Sequence, residues 1–371
     1  MKVTCDRELL LSGFQTAAMV APARSPKPIL QNVKLEVRDD GAILMATDME
    51  IGIRIDVEGI DVESPGSVVL PVGRFGTLLR ESTDENLRLE ADVSGVVVRG
   101  DRSEFNLPAQ NPDEFPAVVS FEEEKYHKVP ARLFKEMTRR TLFATDTESS
   151  RYALGGVLLE MEDEKITAIG TDGRRLAKME GPATSVEGHG TGDTMTIVPA
   201  RSMQLIERAL TDPEAEVCIA SRANDVLIKT AKATIYSRLV EGRFPKWRDV
   251  FPTRQDAVNI DITVGPMYSA LRQAAIVADD DSRGIDFQFG EGKLVLAGST
   301  AEVGRSRVEL PIPYDGKVIS VTMDHRFVAD FLKVLDIEKT FSVEIENEES
   351  AAVFSTDDGY GYVVMPLARD R

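Results

Sequence analysis

The feature that most constrains the fold is an internal repeat that occurs three times. Residues 43–57, 166–180 and 294–308 each contain an alternating apolar run, a short polar turn and a second alternating run. Each segment is followed by another strand-like run and then by an amphipathic helical segment with basic residues. Equivalent points are about 125 residues apart, which is too long for a solenoid repeat and typical of a whole domain. The chain is therefore predicted to contain three similar domains.

A second helical segment precedes the strands of each repeat, so every repeat has two helices and several short alternating strands. This order predicts an α+β fold in which two helices pack on antiparallel sheet. A chain of 371 residues is also too long for one ordinary core. Charged connecting segments place the predicted domains at residues 1–121, 128–250 and 257–371.

Composition excludes several classes of protein. Hydrophobic residues make up 42% of the chain and charged residues 29%, which is typical of a globular protein. No apolar run reaches the roughly 20 residues that span a bilayer, and the opening residues lack the apolar stretch of a signal peptide. Cys5 and Cys218 are too few and too far apart for a disulfide framework or a zinc site. We expect a cytoplasmic protein that does not contact a membrane.

The basic residues are concentrated in the helical segments, although the formal net charge of the chain is −18. Acidic residues are concentrated in strands and loops. A basic surface without interleaved aromatic residues indicates contact with a nucleic-acid backbone rather than base stacking. Ordinary solvated helix faces are the alternative interpretation of the same residues.

Signals for catalysis are weak. The three histidines of the chain lack the spacing of a metal site or of a nucleophile and its base. A run at 290–296 is similar to a phosphate-binding loop but lacks its first glycine and its hydroxyl residue. A monomeric α+β hydrolase that uses Asp48 or Asp172, with a divalent metal, is the alternative function. Both aspartates, however, occur in the same repeated turn, which favours an architectural role. We expect no cofactor.

Six segments of the chain resemble the bacterial sliding clamp family, the β subunit of DNA polymerase III. The resemblance covers essentially the whole chain and is carried by MKVTCDRELLL, PILQNVKLEV, RYALGGVLLE, TDGRRLA, LVEGRFPKWRDV and YVVMPLARDR. It implies a non-catalytic processivity factor, a head-to-tail homodimeric ring of six similar domains with helices around the hole. The implied partners are duplex DNA, a clamp-loader complex, the replicative polymerase alpha subunit, and other polymerases and repair proteins with clamp-binding peptides.

The resemblance also implies which arginines face DNA. Arg24 matches a DNA-contacting position of the family, and the others fall on the helices that line the hole. Glu148 stands where a well-known member has an amide, so the resemblance does not carry a DNA contact over to this position. The implied DNA-binding residues are Arg24, Arg74, Arg80, Arg139, Arg140, Arg201 and Arg208.

In this family, a groove for partner peptides lies beside the TDGRRLA segment, between the second and third domains. Apolar side chains would anchor the peptide, and Arg174 and Arg175 would hydrogen-bond it at the rim. Arg174 replaces a histidine of a well-known member and Asp249 replaces an arginine, so the rim charge differs. The implied groove residues are Leu154, Thr171, Gly173, Arg174, Arg175, Leu176, Pro245, Val250, Val363, Met365, Pro366 and Leu367.

Two other interpretations of the groove residues are open. Arg175 could simply cap a turn or pair with Asp172, and Thr171 and Leu176 could belong to the core. The tail at 368–371, ARDR, runs past the motif and could cover or extend the groove.

The resemblance implies a dimer contact between the first domain of one subunit and the third domain of the other. The strand near 98–106 would then meet the strand near 296–307, because open sheet edges invite aggregation. Ile276 and Val277 are the implied apolar anchors of this contact, and ordinary core residues are the alternative.

Overall fold

The computed structural model describes residues 1–92, 95–108, 110–146, 148, 153–192, 194–251, 257–278, 283–300 and 303–367. Within this part of the chain there are six α-helices, two in each predicted repeat: α1 (Arg7–Ala18), α2 (Val72–Glu81), α3 (Ala131–Thr141), α4 (Ala200–Ala209), α5 (Val264–Ala274) and α6 (His325–Lys333). None of these helices is long and apolar enough to cross a membrane. The tail at 368–371 lies outside the described residues.

The strands follow the alternating runs of the sequence. In chain order they are β1 (Lys2–Asp6), β2 (Asn32–Arg38), β3 (Gly41–Thr47), β4 (Ile51–Val57), β5 (Ile60–Ser64), β6 (Gly66–Pro71), β7 (Asn86–Asp92), β8 (Gly95–Arg99), β9 (Glu104–Leu107), β10 (Tyr126–Pro130), β11 (Gly156–Glu162), β12 (Lys165–Thr171), β13 (Arg175–Pro182), β14 (Thr184–Val186), β15 (Thr196–Pro199), β16 (Glu216–Ser221), β17 (Asp225–Lys229), β18 (Ala233–Arg238), β19 (Val258–Thr263), β20 (Gly284–Gly290), β21 (Lys293–Thr300), β22 (Gly304–Pro311), β23 (Ile319–Asp324), β24 (Thr340–Ile345), β25 (Ala352–Ser355) and β26 (Tyr360–Val364).

The chain divides into two compact units. The first unit comprises Met1–Lys135, Met161–Glu164 and Ala183–Leu239. It contains a five-stranded sheet in the order β5-β1-β7-β8-β9 and a nine-stranded sheet in the order β14-β10-β16-β17-β18-β4-β3-β2-β6. Both sheets are antiparallel, as the short alternating strands predict.

The second unit comprises Glu136–Glu160, Lys165–Pro182 and Val240–Arg371. Its strands form the run β11-β12-β13-β26-β25-β24-β19 and a four-stranded sheet in the order β22-β21-β20-β23. The pairings β12–β13, β13–β26 and β24–β25 are antiparallel.

Main-chain pairing explains why three sequence repeats produce two compact units. In the first unit, β18 of the second repeat pairs with β4 of the first, with Ile235 opposite Ile53. In the second unit, β26 of the third repeat pairs with β13 of the second, with Leu176 opposite Val363. Each sheet therefore continues through a predicted domain boundary, and the boundaries themselves stay a prediction.

Local chemistry sets the helix starts, and apolar faces set the packing. The Asp6 carboxylate accepts a hydrogen bond from the Leu9 amide (2.9 Å) and caps α1. Leu10 and Phe14 form part of the buried face of α1, and the Phe14 ring meets the edge of Phe75 in α2, with 5.0 Å between centroids. This contact joins the two helices of the first repeat, as the helix pair predicted for each repeat requires.

Two histidines form a buried pair inside the first unit. The Nδ1 atoms of His127 and His189 are 2.6 Å apart. Nε2 of His127 faces the Asp163 carbonyl (3.2 Å), whereas Nε2 of His189 accepts from the Ser221 amide (3.1 Å). Both rings are therefore neutral, and His189 donates to His127. The sequence spacing separates these residues, but strand β10 and the turn after β14 bring them together.

Acid is expected to destabilise the first unit through this pair. Burial lowers the pKa of both His127 and His189, so below about pH 6.5 the unfolded chain binds more protons than the native chain. The free energy of unfolding should fall as pH drops from 7 to 5, by up to about 1.4 kcal/mol per pH unit for each ring. Circular dichroism melts across this range measure the effect.

The matched variants are His189→Gln and His325→Gln. Burial also lowers the pKa of His325, which lies in the second unit. Its replacement therefore shows how much the pH dependence changes when any one buried histidine is lost. His189→Gln should flatten the pH dependence more than His325→Gln does. Equal slopes in the two variants would contradict the role of the pair.

Candidate functional site

The turn between β12 and β13 is locked by its own side chains. The Thr171 hydroxyl donates to the Arg175 carbonyl (2.6 Å) and accepts from the Gly173 amide (3.1 Å). The Asp172 carboxylate accepts from the amides of Arg174 (2.9 Å) and Arg175 (3.0 Å). Gly173 has a φ of +87°, in the left-handed region that favours glycine. The TDG sequence therefore forms this turn locally.

Arg175 points into the protein. Its guanidinium donates to Asp172 (3.0 Å), to Asp330 of α6 (2.8 Å) and to the Phe143 carbonyl (2.8 Å). It also stacks over the rings of Phe327 (4.5 Å) and Phe143 (5.4 Å). Burial by itself would lower the pKa of this guanidinium. The side chains of Tyr362, Asp330 and Asp172 raise that pKa, so Arg175 stays charged.

The expectation that Arg175 binds a peptide at the rim is corrected by this geometry. Its side chain is only 10% exposed, and its Nε, Nη1 and Nη2 atoms all donate to protein oxygens. The alternative, an ion pair with Asp172, is confirmed, and the pair extends to Asp330. Arg175 therefore ties the turn at Asp172 to α6 inside the second unit.

The segment that follows β26, residues 365–367, lies beside this turn. After β26, the Met365 amide donates to the Arg174 carbonyl (2.9 Å), and the Leu367 amide donates to the Thr322 carbonyl (2.8 Å). These two bonds hold the segment beside the turn at Asp172. The Met365 side chain is 45% exposed. A flexible apolar side chain is therefore exposed to solvent next to the turn.

A third segment packs against the same strands. The ring of Phe251 lies under the Lys178 ammonium (5.4 Å), and a methyl group added to Gly361 would meet that ring at 3.0 Å. The Ala153 amide donates to the Arg243 carbonyl (3.4 Å), which places the segment before β11 beside residues 242–245. The second unit thus brings together all three sequence segments from which groove residues were predicted.

The predicted groove residues differ in exposure. Leu154, Thr171, Leu176 and Val363 are buried, as the core alternative for Thr171 and Leu176 expects. Exposed or half-buried are Gly173, Arg174, Pro245, Val250, Met365, Pro366 and Leu367. We call these seven positions the partner groove, and that a peptide binds there stays a prediction.

The charges around the partner groove are partly neutralised. The Arg248 guanidinium pairs with Glu160 (2.7 Å) and lies over the Trp247 ring (4.4 Å). The Trp247 indole also donates to Glu160 (3.0 Å). Arg174 and Asp249 are exposed, and neither has an ion-pair partner among the residues that the structure describes. Arg174 is therefore an exposed cation beside the turn at Asp172.

The seven predicted DNA-binding arginines fall into three groups, of which the third is Arg140 alone. Four are exposed and have no acidic partner within the described ranges: Arg24, Arg74, Arg80 and Arg208. Two are exposed but engaged within the protein. Arg139 donates to Glu136 and to the Val334 carbonyl, and Arg201 pairs with Asp48. A phosphate would have to compete for these two.

Arg140 is corrected, because the structure buries it. Its side chain is 5% exposed and binds Asp358 with two hydrogen bonds (2.9 and 2.8 Å), while its Nε donates to Glu136 (2.6 Å). Burial would raise the pKa of Asp358, but hydrogen bonds from Thr356 and Arg140 lower it. Arg140 therefore stabilises the second unit and does not face DNA.

Two strands of the described part of the chain, β9 and β22, pair with a neighbouring strand on one side only. β9 is an outer strand of the five-stranded sheet, and β22 is an outer strand of the four-stranded sheet. Ile276 is 75% exposed, so it is not a core residue of the isolated chain. Val277 is half-buried, and its carbonyl accepts from the Thr300 hydroxyl (2.6 Å). An exposed apolar residue near a free edge is typical of an interface.

The aspartates of the hydrolase alternative are both occupied. Asp48, like Asp172, accepts two backbone amides of its own turn and pairs with an arginine. Within the described ranges, no group of three or more His, Cys, Asp or Glu side chains could hold a metal ion. Both aspartates therefore have structural roles in their turns.

Three repeats of a helix pair on antiparallel sheet, joined by pairing between their strands, define the DNA-clamp class. Family models of the DNA polymerase III beta subunit match residues 1–119 (N-terminal domain), 128–246 (central domain) and 248–368 (C-terminal domain). The chain belongs to the DNA polymerase III beta subunit family. Together these matches confirm the predicted three-domain α+β fold.

Relatives and solved structures agree over the full length. The beta sliding clamp of Chlamydia pneumoniae is 27% identical over 369 residues, covering 99% of both chains. That of Escherichia coli is 28% identical over 375 residues, covering 99% of this chain and 100% of the relative. A crystal structure of the Pseudomonas aeruginosa clamp bound to griselimycin superposes on this chain with a TM-score of 0.92 and is 26% identical in sequence. The match covers 100% of both chains.

Membership of this family establishes the class of function. The chain is a processivity clamp of DNA polymerase III and a non-catalytic subunit. The hydrolase alternative is therefore wrong. A sliding clamp of this kind is a ring dimer around DNA that serves polymerases.

Sequence reasoning missed the acids that hold the two buried arginines, Arg140 and Arg175, in place. Asp330 is 155 residues from Arg175, and Asp358 is 218 residues from Arg140. Neither acid is distinguished in the sequence from its many exposed neighbours. The available signal was indirect, since a buried arginine requires a carboxylate partner.

Proposed function

We propose that two copies of this chain close head to tail, with β9 of each subunit beside β22 of the other. The observation that carries this proposal is the free edge of each strand together with Ile276, which is 75% exposed. A cavity of about 980 Å³ lies beside β9 and is lined in part by Leu78, Phe105 and Leu107. The partner subunit's Ile276 would fill this cavity, with Val277 at its margin, and remove apolar surface from water.

The ring would hold duplex DNA by enclosure rather than by tight contact. Affinity from counterion release increases with every phosphate that is neutralised, and a tight contact would prevent sliding. Arg24, Arg74, Arg80 and Arg208, which are exposed and have no acidic partner among the described residues, would supply a modest positive lining. The net charge of −18 would repel DNA from other faces. Arg139 and Arg201 would contribute less, since protein groups already bind them.

We further infer the partners and the organisation that the family implies. A clamp-loader complex would open the ring, and the replicative polymerase alpha subunit, other polymerases and repair proteins would bind through peptides in the partner groove. The protein would act in the cytoplasm. Its domains would be residues 1–121, 128–250 and 257–371.

Retention on DNA tests the ring. The full-length protein is loaded on a nicked circular plasmid with the cognate loader and ATP, and the circle is then cut once. We expect the protein to stay on the circle and to leave the linear form, because its ends let a ring slide off. Retention after cutting would show ordinary electrostatic binding and overturn the proposal.

Changing Met365 tests the partner groove. Met365→Asp puts a charge on an apolar surface that a peptide would cover, so affinity for a labelled clamp-binding peptide of the cognate polymerase should fall at least about tenfold. Fluorescence anisotropy measures this. The matched control is Met195→Asp in the first unit, because Met195 is 47% exposed and Met365 is 45% exposed. Equal losses in the two variants would contradict the assignment.

A further inference from the structure

The first unit contains a second copy of the turn that forms the groove wall. In turns 47–50 and 171–174, the threonine hydroxyl donates to the carbonyl four residues on (2.8 and 2.6 Å) and accepts from the amide two residues on (3.0 and 3.1 Å). In both turns the aspartate carboxylate accepts hydrogen bonds from the amides two and three residues further along the chain. Met49 has a φ of +80°, close to the +87° of Gly173.

The strand that runs beside each turn is repeated as well. In the first unit, the Arg238 amide after β18 donates to the Glu50 carbonyl (2.9 Å). In the second unit, the Met365 amide after β26 donates to the Arg174 carbonyl (2.9 Å). The backbone framework that carries the partner groove therefore occurs twice in the chain.

The side chains behind the two turns differ in a way that leaves space in the first unit. The first residue after the turn is Arg175 in β13 but Ile51 in β4. The sixth residue of the adjacent helix is Asp330 in α6 but Leu205 in α4. A buried ion pair in the second unit thus corresponds to two aliphatic side chains in the first.

A cavity of about 210 Å³ occupies this place in the first unit, and we call it the Met19 pocket. Its lining is Met19, Val20, Ile51, Arg201, Gln204 and Leu205. Val20, Ile51 and Leu205 are buried, so the floor is apolar, and Met19 is 40% exposed at the mouth. The aromatic rings that sandwich Arg175 in the second unit have no counterpart in this lining, which explains the open space.

Polar groups make a fixed rim around the apolar floor. The Arg201 guanidinium binds Asp48 and donates to the carbonyls of Met19 (3.1 Å) and Val20 (3.0 Å). Gln204 is exposed, and its amide has no hydrogen-bond partner in the part of the chain that the structure describes. An amide beside an apolar hole suits a polypeptide, whose backbone offers a donor and an acceptor next to each side chain.

We propose that the Met19 pocket is a second docking site, which takes one aliphatic or aromatic side chain of a partner polypeptide. The proposal rests on the proposed function, because it extends peptide docking from the partner groove to its repeated framework. One side chain in an open pocket binds weakly. Such a site becomes effective for a polypeptide that another part of the clamp already holds, because the local concentration of the second segment is then high.

Methionine methyl signals separate the two sites. The full-length protein is labelled with ¹³C at the methionine methyl groups and titrated with N-acetyl-leucinamide, with N-acetyl-asparaginamide as the matched polar probe. We expect a saturable shift of the Met19 signal with the leucine compound only. The Met365 signal, followed in a separate titration with a polymerase peptide, reports the partner groove. Failure of one site is thereby distinguished from failure of the other.

Two variants close the pocket by different routes. Gln204→Trp covers the mouth from an exposed position, and Leu205→Phe fills the floor. Each should abolish the shift of Met19, whereas Gln273→Trp, an exposed glutamine on α5 in the second unit, should leave it unchanged. If Leu205→Phe fails to fold, Gln204→Trp decides the outcome. No saturable shift in the parent protein, or a shift that persists in Gln204→Trp, would overturn the proposal.

Discussion

Arg175→Met is expected to lower the free energy of unfolding of the second unit by about 3–5 kcal/mol, because it leaves the carboxylates of Asp172 and Asp330 without their shared cation. The guanidinium that would be lost is 10% exposed and contacts both acids. The single tryptophan of the chain, Trp247, belongs to the same unit. Urea unfolding followed by tryptophan fluorescence therefore reports on the affected region.

Arg174→Met is the matched control for that measurement. Arg174 is the adjacent arginine, is exposed, and has no ion pair within the described residues, so its replacement should change stability by no more than about 0.5 kcal/mol. Equal effects of the two variants would contradict the buried role of Arg175. The double change Arg175→Ile with Asp330→Leu reproduces the Ile51 and Leu205 pair of the first unit. It should recover part of the loss, because Asp330 is no longer left without Arg175, while Asp172 keeps only its two backbone amide bonds.

Ile276→Arg is expected to convert the dimer into single chains. A charged side chain would have to enter the apolar part of the cavity beside β9 or leave it open to water. Each contact should lose about 2 kcal/mol or more. A head-to-tail ring closes through two equal contacts, so the loss applies twice and weakens association roughly thousandfold. Sedimentation should then give a mass near 40.8 kDa for the variant and about twice that for the parent protein.

The control for this change is Ile337→Arg. Ile337 is 66% exposed and belongs to the same unit as Ile276, but it lies between α6 and β24. That variant should remain a dimer and stay on circular DNA after loading. A dimeric Ile276→Arg protein would place the subunit contact elsewhere.

Local sequence was sufficient for the turns and for the kind of element. The Asp172 carboxylate binds amides two and three residues ahead of it, so the turn depends only on its own residues. The same holds at Asp48. The alternation of apolar residues likewise predicts strands, and the helical spacing around Leu10 and Phe14 predicts α1.

Charge patterning was a poorer guide, and the arginines show why. Arg139 and Arg140 are adjacent on α3, yet the first is exposed and the second is buried. Helical spacing predicts which face of the helix a residue occupies. It does not predict whether an acidic side chain from a distant segment packs against that face. Arg174 and Arg175 repeat the lesson in a turn, because only Arg175 meets Asp330.

The sequence by itself determined the three repeats, the α+β class, the helix and strand segments, the Thr-Asp turns and the membership of a clamp family. These depend on periodicity and on contacts within a few residues, and both are readable along the chain. Only the tertiary structure decided that His127 meets His189, that Arg140 and Arg175 are internal, and that Ile276 is exposed. Such contacts join residues far apart in the chain, and a buried charge is stable only where the fold supplies its partner.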